Sequence, residues 1–278
     1  MEPILKWAGG KRQLLDKILK HIDLAELKEH RLYEPFVGGG SLSFYLEHPN
    51  TVINDFNPEL INVYLVIKDH PAELIAKLKK HQKQHSINPH DYYYQIRNLD
   101  RKKAYASMGA IDKAARIIYL NKTCYNGLYR VNSNGYFNVP IGRSESEPDI
   151  VMEQRIMALH RLFNKPGFSI RHGDFEKAVE DALPGDIVYF DPPYDYEENG
   201  FVAYVASGFD RKELERLKRV CDELLTRGCH VIVSNNSTKF VNQLFSDGRY
   251  QIEIVSAKRY INCKGKQRSS VEEVIIHG

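Results

Sequence analysis

Residues 186–194 read Asp186-Ile187-Val188-Tyr189-Phe190-Asp191-Pro192-Pro193-Tyr194. Ile187 to Phe190 is a short run of β-branched and aromatic residues, the composition of a fully buried strand. Pro192 and Pro193 lack backbone donors and force an extended or turned path, so the strand stops at Asp191. Open α/β sheets bind their ligands at the carboxyl ends of strands. Asp191 is therefore expected at a ligand-binding edge, as a carboxylate that accepts hydrogen bonds. The Pro192 carbonyl is a second acceptor, and Tyr194 offers a flat face for stacking. Two acceptors and a platform suit an exocyclic amino group on an aromatic base. A strand-terminating turn with a solvent-facing Asp is the plainer alternative.

Two further stretches have the character of a ligand cradle. Tyr33-Glu34-Pro35-Phe36-Val37-Gly38-Gly39-Gly40-Ser41 reads as a strand, a glycine turn and a helix start. A short strand, Thr51 to Asp55, follows and ends in an acid 17 residues beyond Gly38. An acid at the tip of a second strand can accept hydrogen bonds from ribose hydroxyls. At the start of the chain, Leu5-Lys6-Trp7-Ala8-Gly9-Gly10-Lys11 leads into a helical pattern from Leu14 to Ile22. Gly9-Gly10 allows close backbone approach to a ligand. Gly-x-x-x-x-Gly-Lys-Ser/Thr is missing, which excludes a P-loop. Trp7, the one tryptophan, could stack on a ligand, but spacing alone favours a core anchor.

The chain has 278 residues, 42% hydrophobic and 27% charged, so it carries a sizeable core as one large domain or a core with an inserted lobe. A net charge of +3 hides an uneven distribution. Lys68 to Ile150 holds 14 Lys/Arg against 8 Asp/Glu, and Lys113 through Ser144 contains no acid. A second acid-free basic run covers Lys258, Arg259, Lys264, Lys266 and Arg268. Two such runs, one interleaved with aromatics, favour a phosphate backbone as partner. The four cysteines form no Cys-x-x-Cys pair and no zinc spacing, so neither a metal site nor a disulfide framework is expected. No apolar segment is long enough to span a membrane, and a reduced cytoplasmic setting is expected, in a prokaryotic cell or encoded by a phage.

Within the basic region, helical patterns cover Leu74 to Lys83 and Ala110 to Asn121. Tyr125 to Arg143 follows, with Asn134-Gly135 as a two-residue hairpin turn. A hairpin displaying Asn and Arg fits major-groove reading, and an exposed Leu at its foot could wedge between base pairs. An unrelated structural hairpin is the alternative. The α/β pattern then resumes, with a helix to Phe163 and a strand from Phe168 to Arg171 running into Asp174 and Phe175. Asp195 to Ser207 reads as a loop that closes over substrates, and strands follow at His230 to Ser234, Tyr250 to Val255 and Val271 to Ile276.

Asp-Pro-Pro-Tyr resembles the catalytic motif of amino-group methyltransferases, and the whole chain resembles Dam-type DNA adenine methyltransferases, the alpha group or D12 class. That resemblance implies a Rossmann-like α/β sheet that binds S-adenosylmethionine, with an inserted, mainly helical target-recognition lobe carrying a β-hairpin. It implies a catalytic domain of residues 1–67 and 151–278 and a recognition domain of residues 68–150. Catalysis would rest on Asp191, Pro192, Pro193 and Tyr194. Cofactor contacts would come from Trp7, Lys11, Phe36, Gly38, Gly40, Asp55, Asp174, Phe175 and Asp191, although a helix cap reads Asp174 almost as well. Double-stranded DNA would be met by Lys11, Tyr125, Asn126, Leu128, Arg130, Asn132, Asn138, Pro140 and Arg143. The implied reaction is methylation of adenine N6 within GATC after base flipping, with a cognate restriction endonuclease as a functional rather than physical partner. Two rival classes remain: a methyltransferase of this fold acting on RNA or a protein glutamine, and a non-enzymatic DNA-binding protein on the same scaffold.

Overall fold

The computed structural model describes residues 1–7, 11, 14–143, 147–196, 209–257 and 271–278, Val271 by its backbone alone. Among the described residues the strands are β1 Leu32–Glu34, β2 Thr51–Asp55, β3 Ser169–His172, β4 Ile187–Phe190, β5 His230–Asn236, β6 Gln251–Ala257 and β7 Val271–His277. The helices are α1 Leu15–Ile18, α2 Ser41–Leu46, α3 Pro58–Asp69, α4 Pro71–Ile87, α5 Pro89–Arg97, α6 Ala110–Thr123, α7 Glu153–Phe163, α8 Phe175–Ala178, α9 Arg211–Arg227 and α10 Lys239–Leu244. Seven strands form one sheet in the order β3-β2-β1-β4-β5-β7-β6. The fold is mixed α/β, as expected. No helix is long and apolar enough to cross a membrane among the described residues.

The chain divides into two compact units. One comprises Lys11–Phe36, Asn50–Asn54 and Asp174–Gly278. In it β4 lies parallel between β1 and β5, with Leu32 opposite Ile187 and Ile187 opposite His230. All four residues of β4 are buried, which is why its sequence is a continuous apolar run rather than an alternating one. β7 is antiparallel to both β5 and β6. Helix α9 turns Leu214, Leu217, Cys221 and Leu224 into the core at helical spacing, against Val188, Phe190, Val231 and Val233. Asp210 caps its first turn and Gly228, at φ +89°, ends it.

The other unit comprises Met1–Gly10, Val37–Pro49 and Asp55–Gly173, and holds the whole expected recognition region, residues 68–150. Its helices α3, α4, α6 and α7 pack on one another. Pro58, Pro71 and Pro89 each open a helix, where a missing N–H costs nothing, and Asn57 and Asn88 supply side-chain caps. Arg116 of α6 is buried, paired with Asp100 at 2.8 Å and donating to the carbonyls of Ile96 and Arg97.

Three local expectations differ from the structure. The helix expected from Leu14 to Ile22 is a single turn, α1, followed by a 3-10 turn at Leu19–His21, because Ile22 is already extended. The expected β-hairpin is reduced to two isolated bridges, Cys124 with Ile141 and Val131 with Phe137. Its turn has three residues rather than two: Asn132 N–H donates to the Tyr136 carbonyl, and Gly135 takes φ +78°. The cause is Asn132, whose side-chain oxygen accepts from the N–H groups of Asn134 and Tyr136 and widens the reversal. Gly9-Gly10, most of the expected closing loop and the basic run Lys258 to Arg268 lie outside the described residues.

Candidate active site

In the unit of β4, the buried strand delivers Asp191 where the two prolines end pairing. The Lys11 ammonium stands 2.9 Å from Asp191 Oδ1 and 4.4 Å from the centre of the Tyr194 ring. Lys11 is itself buried. Burial pushes the Asp191 carboxyl up to about 6, the Lys11 charge opposes that rise and the Glu273 carboxylate adds to it. The Tyr194 hydroxyl donates to Glu273 on β7 at 3.0 Å, which fixes the plane of the ring.

The backbone that follows the motif is held on every side. Asp195 N–H donates to Asn235 Oδ1 at 2.9 Å, and the Asp195 carbonyl accepts from the Asn236 amide. Its carboxylate accepts from Thr238 Oγ1 at 2.6 Å and from Arg211 Nε at 3.1 Å. Asn235, Asn236 and Thr238 are all buried at the carboxyl end of β5.

Phe36, expected at the cofactor, packs in this unit against Phe175 at 5.3 Å and edge-on to Phe190 and Phe209. Phe175 is buried, with the Arg216 guanidinium 4.3 Å from its ring centre. Asp174 caps α8 and its two oxygens accept from Arg216 at 3.1 and 2.7 Å. The Arg216 bonds hold its carboxyl below the usual carboxylate range. Asp174 thus both caps α8 and accepts the Arg216 guanidinium.

The other unit carries the glycine turn and the strand-end acid. Gly38 at φ +47° and Gly40 at φ +72° occupy left-handed backbone. A Cβ on Gly38 would lie 2.9 Å from Trp7 Cδ1, and one on Gly40 would collide with Phe44. Asp55 gathers the turn: its oxygens accept Gly38 N–H at 3.0 Å and Asn57 N–H at 2.9 Å. Burial raises the Asp55 carboxyl, against backbone bonds from Asn57, Gly38 and Phe56 that favour its charge. Trp7 is half-buried and stacked on Tyr129, with ring centres 4.9 Å apart and planes at 21°.

The same unit displays the residues expected to meet DNA. Tyr125 is exposed, and Asn126 is exposed with φ 56°, a left-handed conformation unusual for a residue with a side chain. Arg130 is exposed and donates through Nε to Asn138 Oδ1 at 2.7 Å. Pro140 and Arg143 are exposed, while Asn132, Asn138 and Leu128 are partly buried. Leu128 thus differs from the exposed wedge the sequence led us to expect. Lys11 lies in the unit of the Asp-Pro-Pro-Tyr turn rather than with these residues.

Comparison with known proteins matches residues 7–261 to the model of the D12 class N6 adenine-specific DNA methyltransferases. The chain belongs to that family. A type II methyltransferase of Lactococcus lactis subsp. cremoris, M1.LlaDCHI, is 40% identical over 99% of this chain and 95% of its own length. A type II methyltransferase of Methanocaldococcus jannaschii, M.MjaIII, is 37% identical, covering 99% of this chain and 98% of its own. The DNA adenine methylase of Escherichia coli is 30% identical over 98% of this chain and 93% of its own. Among solved structures, a precorrin-6y C5,15-methyltransferase of Geobacter metallireducens overlays at 11% identity and a TM-score of 0.32, covering 100% of this chain and 99% of that chain, too remote to bear on function.

In this D12-class enzyme, an adenine-specific DNA methyltransferase, several residues around the motif were not singled out from the sequence. Asp195, Asn235, Asn236, Thr238 and Glu273 are the main ones. A Ser-Asn-Asn run at the end of β5, beside β4, was their one sequence signal. Glu273 had none: it contacts Tyr194 from 79 residues away.

Proposed function

We propose that the enzyme transfers the methyl group of S-adenosylmethionine to adenine N6 in duplex DNA, within GATC, on a base swung out of the helix. The observation that carries this reading is the Lys11 ammonium, a nitrogen cation held 2.9 Å from Asp191 and 4.4 Å over Tyr194. A carboxylate beside an aromatic face suits an exocyclic amine on a planar base. The Asp191 carboxylate and the Pro192 carbonyl accept the two N6 hydrogens, and Tyr194 stacks on the base. Both acceptors draw the nitrogen lone pair toward the donor, so alignment supplies much of the acceleration in a direct displacement. Asp191, ionised above pH about 6, is also the nearest base for the proton that N6 releases once the new N–C bond forms. Extruding the base costs a few kcal/mol, roughly, offset by these contacts.

The residues present fit the cofactor. Gly38 and Gly40 hold a left-handed turn on which Trp7 and Phe44 pack, and Asp55 offers a partly buried carboxylate to ribose hydroxyls. Trp7 belongs with them in the same unit, and Lys11, Phe36, Asp174 and Phe175 are the cofactor contacts proposed for the other, Asp174 as a support through Arg216 and the α8 cap. When bound, the cofactor supplies an electrophilic methyl group on a sulfonium. Tyr125, Asn126, Leu128, Arg130, Asn132, Asn138, Pro140 and Arg143 meet the duplex, with Arg130 reading a guanine. Two relatives carry type II names, and a cognate restriction endonuclease sharing the recognition sequence is the functional partner this reading implies.

The test is transfer of labelled methyl groups to unmethylated plasmid, followed by single-base mapping. Label confined to GATC adenines supports the reading. Label at other adenines overturns the site, and label on RNA or protein instead of DNA overturns the substrate.

A further inference from the structure

Tyr129 sits between Leu128 and Arg130, two residues placed at DNA, yet its own side chain points elsewhere. Backbone extended at Leu128, ψ 139°, sends successive side chains to opposite faces. Arg130 is exposed, while Tyr129 turns inward and stacks on Trp7 at 4.9 Å. Trp7 in turn fills the space that a Cβ on Gly38 would enter, with Cδ1 only 2.9 Å from that position. Burial raises the Tyr129 hydroxyl, and the Asn57 side chain beside it opposes that rise. Asn57 caps α3 and gives its own N–H to Asp55 at 2.9 Å. One aromatic residue is thus linked to the glycine turn through Trp7 and to the acid through Asn57, from within the segment proposed to face DNA.

A second tether runs parallel to it. The Asn121 side chain accepts Lys6 N–H at 2.9 Å and donates to the Lys6 carbonyl at 2.7 Å and the Gly127 carbonyl at 2.9 Å. Gly127 takes φ +66° and packs so closely on the Lys6 side chain that a Cβ would lie 2.6 Å from Lys6 Cδ. The residue before Trp7 and the residue before Leu128 are therefore pinned to one amide. Lys6-Trp7 cannot shift without moving Gly127 to Tyr129, and the reverse holds equally.

We propose that Tyr129 is a positioning residue that couples cofactor binding to target-DNA binding. It rests on the proposed function, which places the cofactor at Gly38 and Asp55 and the duplex at Leu128 and Arg130. A ligand that orders the glycine turn fixes Trp7, which fixes Tyr129 and so the two recognition side chains that flank it. The chemistry at Asp191 is not involved. Coupling of this kind is reciprocal: each ligand tightens the other by the same factor.

The experiment measures affinity for S-adenosylhomocysteine, a form of the cofactor with no methyl to transfer, by calorimetry with and without a cognate GATC duplex. Wild-type protein is expected to bind it about 10-fold more tightly when the duplex is present. Tyr129→Ala is expected to bring that ratio close to one, and Tyr129→Phe, which keeps the stack and loses the hydroxyl beside Asn57, to an intermediate value. Trp7 is the one tryptophan, so its fluorescence reads the stacked contact directly in each variant. Should Tyr129→Ala not fold, Tyr129→Phe and the wild-type ratio decide. Wild-type protein that binds both ligands independently, or Tyr129 variants that keep the full ratio, would overturn the coupling alone. Wild-type protein that binds neither ligand would overturn the proposed function beneath it.

Discussion

Replacing Lys11 with methionine removes the positive charge 2.9 Å from Asp191 while keeping most of the side-chain volume. Asp191 titrates at about 6 because Lys11 offsets part of the burial that raises it. At 2.9 Å a unit charge is worth about 6 kcal/mol at an effective dielectric of ~20, and about 1.4 kcal/mol even at that of water. Taking the weaker figure, the Asp191 pKa rises by about one unit or more in Lys11→Met. At pH 7 the wild-type carboxylate is about 90% ionised, and that of the variant about half or less. The assay is kcat/KM for the duplex from pH 5 to 9, which reports the titration of Asp191 before the base engages it. The acid limb should sit near pH 6 in the wild type and at least about one unit higher in the variant, with rate recovered in alkali. A Lys11→Met rate reduced by the same factor at every pH, or an acid limb unmoved, would refute the argument that Lys11 keeps Asp191 charged.

Glu273→Gln takes away a carboxylate that raises Asp191, so its acid limb should move below pH 6, opposite to Lys11→Met, while the amide still accepts from Tyr194. Arg130→Ala should relax discrimination at one base pair by about 1–3 kcal/mol in methylation of near-cognate duplexes, whereas equal weakening on all sequences would make it a phosphate contact. Asp100→Ala leaves the buried Arg116 guanidinium without its 2.8 Å partner and frees the Phe137 N–H. It should lower unfolding free energy by about 3–5 kcal/mol in denaturant titration, and a loss under about 1 kcal/mol would show that Tyr105 and the helix carbonyls suffice for Arg116.

The buried strand and its end at Asp191 were legible because their signal is local. Four apolar residues, an acid and two prolines dictate a buried strand and its end without reference to the rest of the chain. The same holds for Gly38 and Gly40, whose left-handed backbone is what glycine is for, and for Asp55 closing a short strand. Glu273 was not legible, since nothing in Val-Glu-Glu-Val announces a partner on another strand. The grip of Asn235, Asn236 and Thr238 on Asp195 is equally a product of β5 lying beside β4. Asp174 shows the converse limit. An acid after a strand can take a ligand or cap a helix, and only Arg216, 42 residues on, reveals how its oxygens are engaged. The hairpin failed at its turn, where the Asn132 side chain outcompeted the Asn-Gly preference.

The parallel pairing of β1 with β4 bears on how the protein is made. Arg31 and Asp186, bonded at the entrance to these two strands, are 155 residues apart. At a synthesis rate of ~5–20 residues per second, β1 waits roughly 10–30 s for the strand that will carry Asp191. Its other neighbour, β2, emerges within a few seconds, and the span from Asp55 to Gly173 is complete before β4 exists. The unit that displays Arg130 therefore has its chain in hand first, while Leu32 and Tyr33 wait with one strand edge open. That interval is when the nascent enzyme is most exposed to aggregation and most in need of a chaperone.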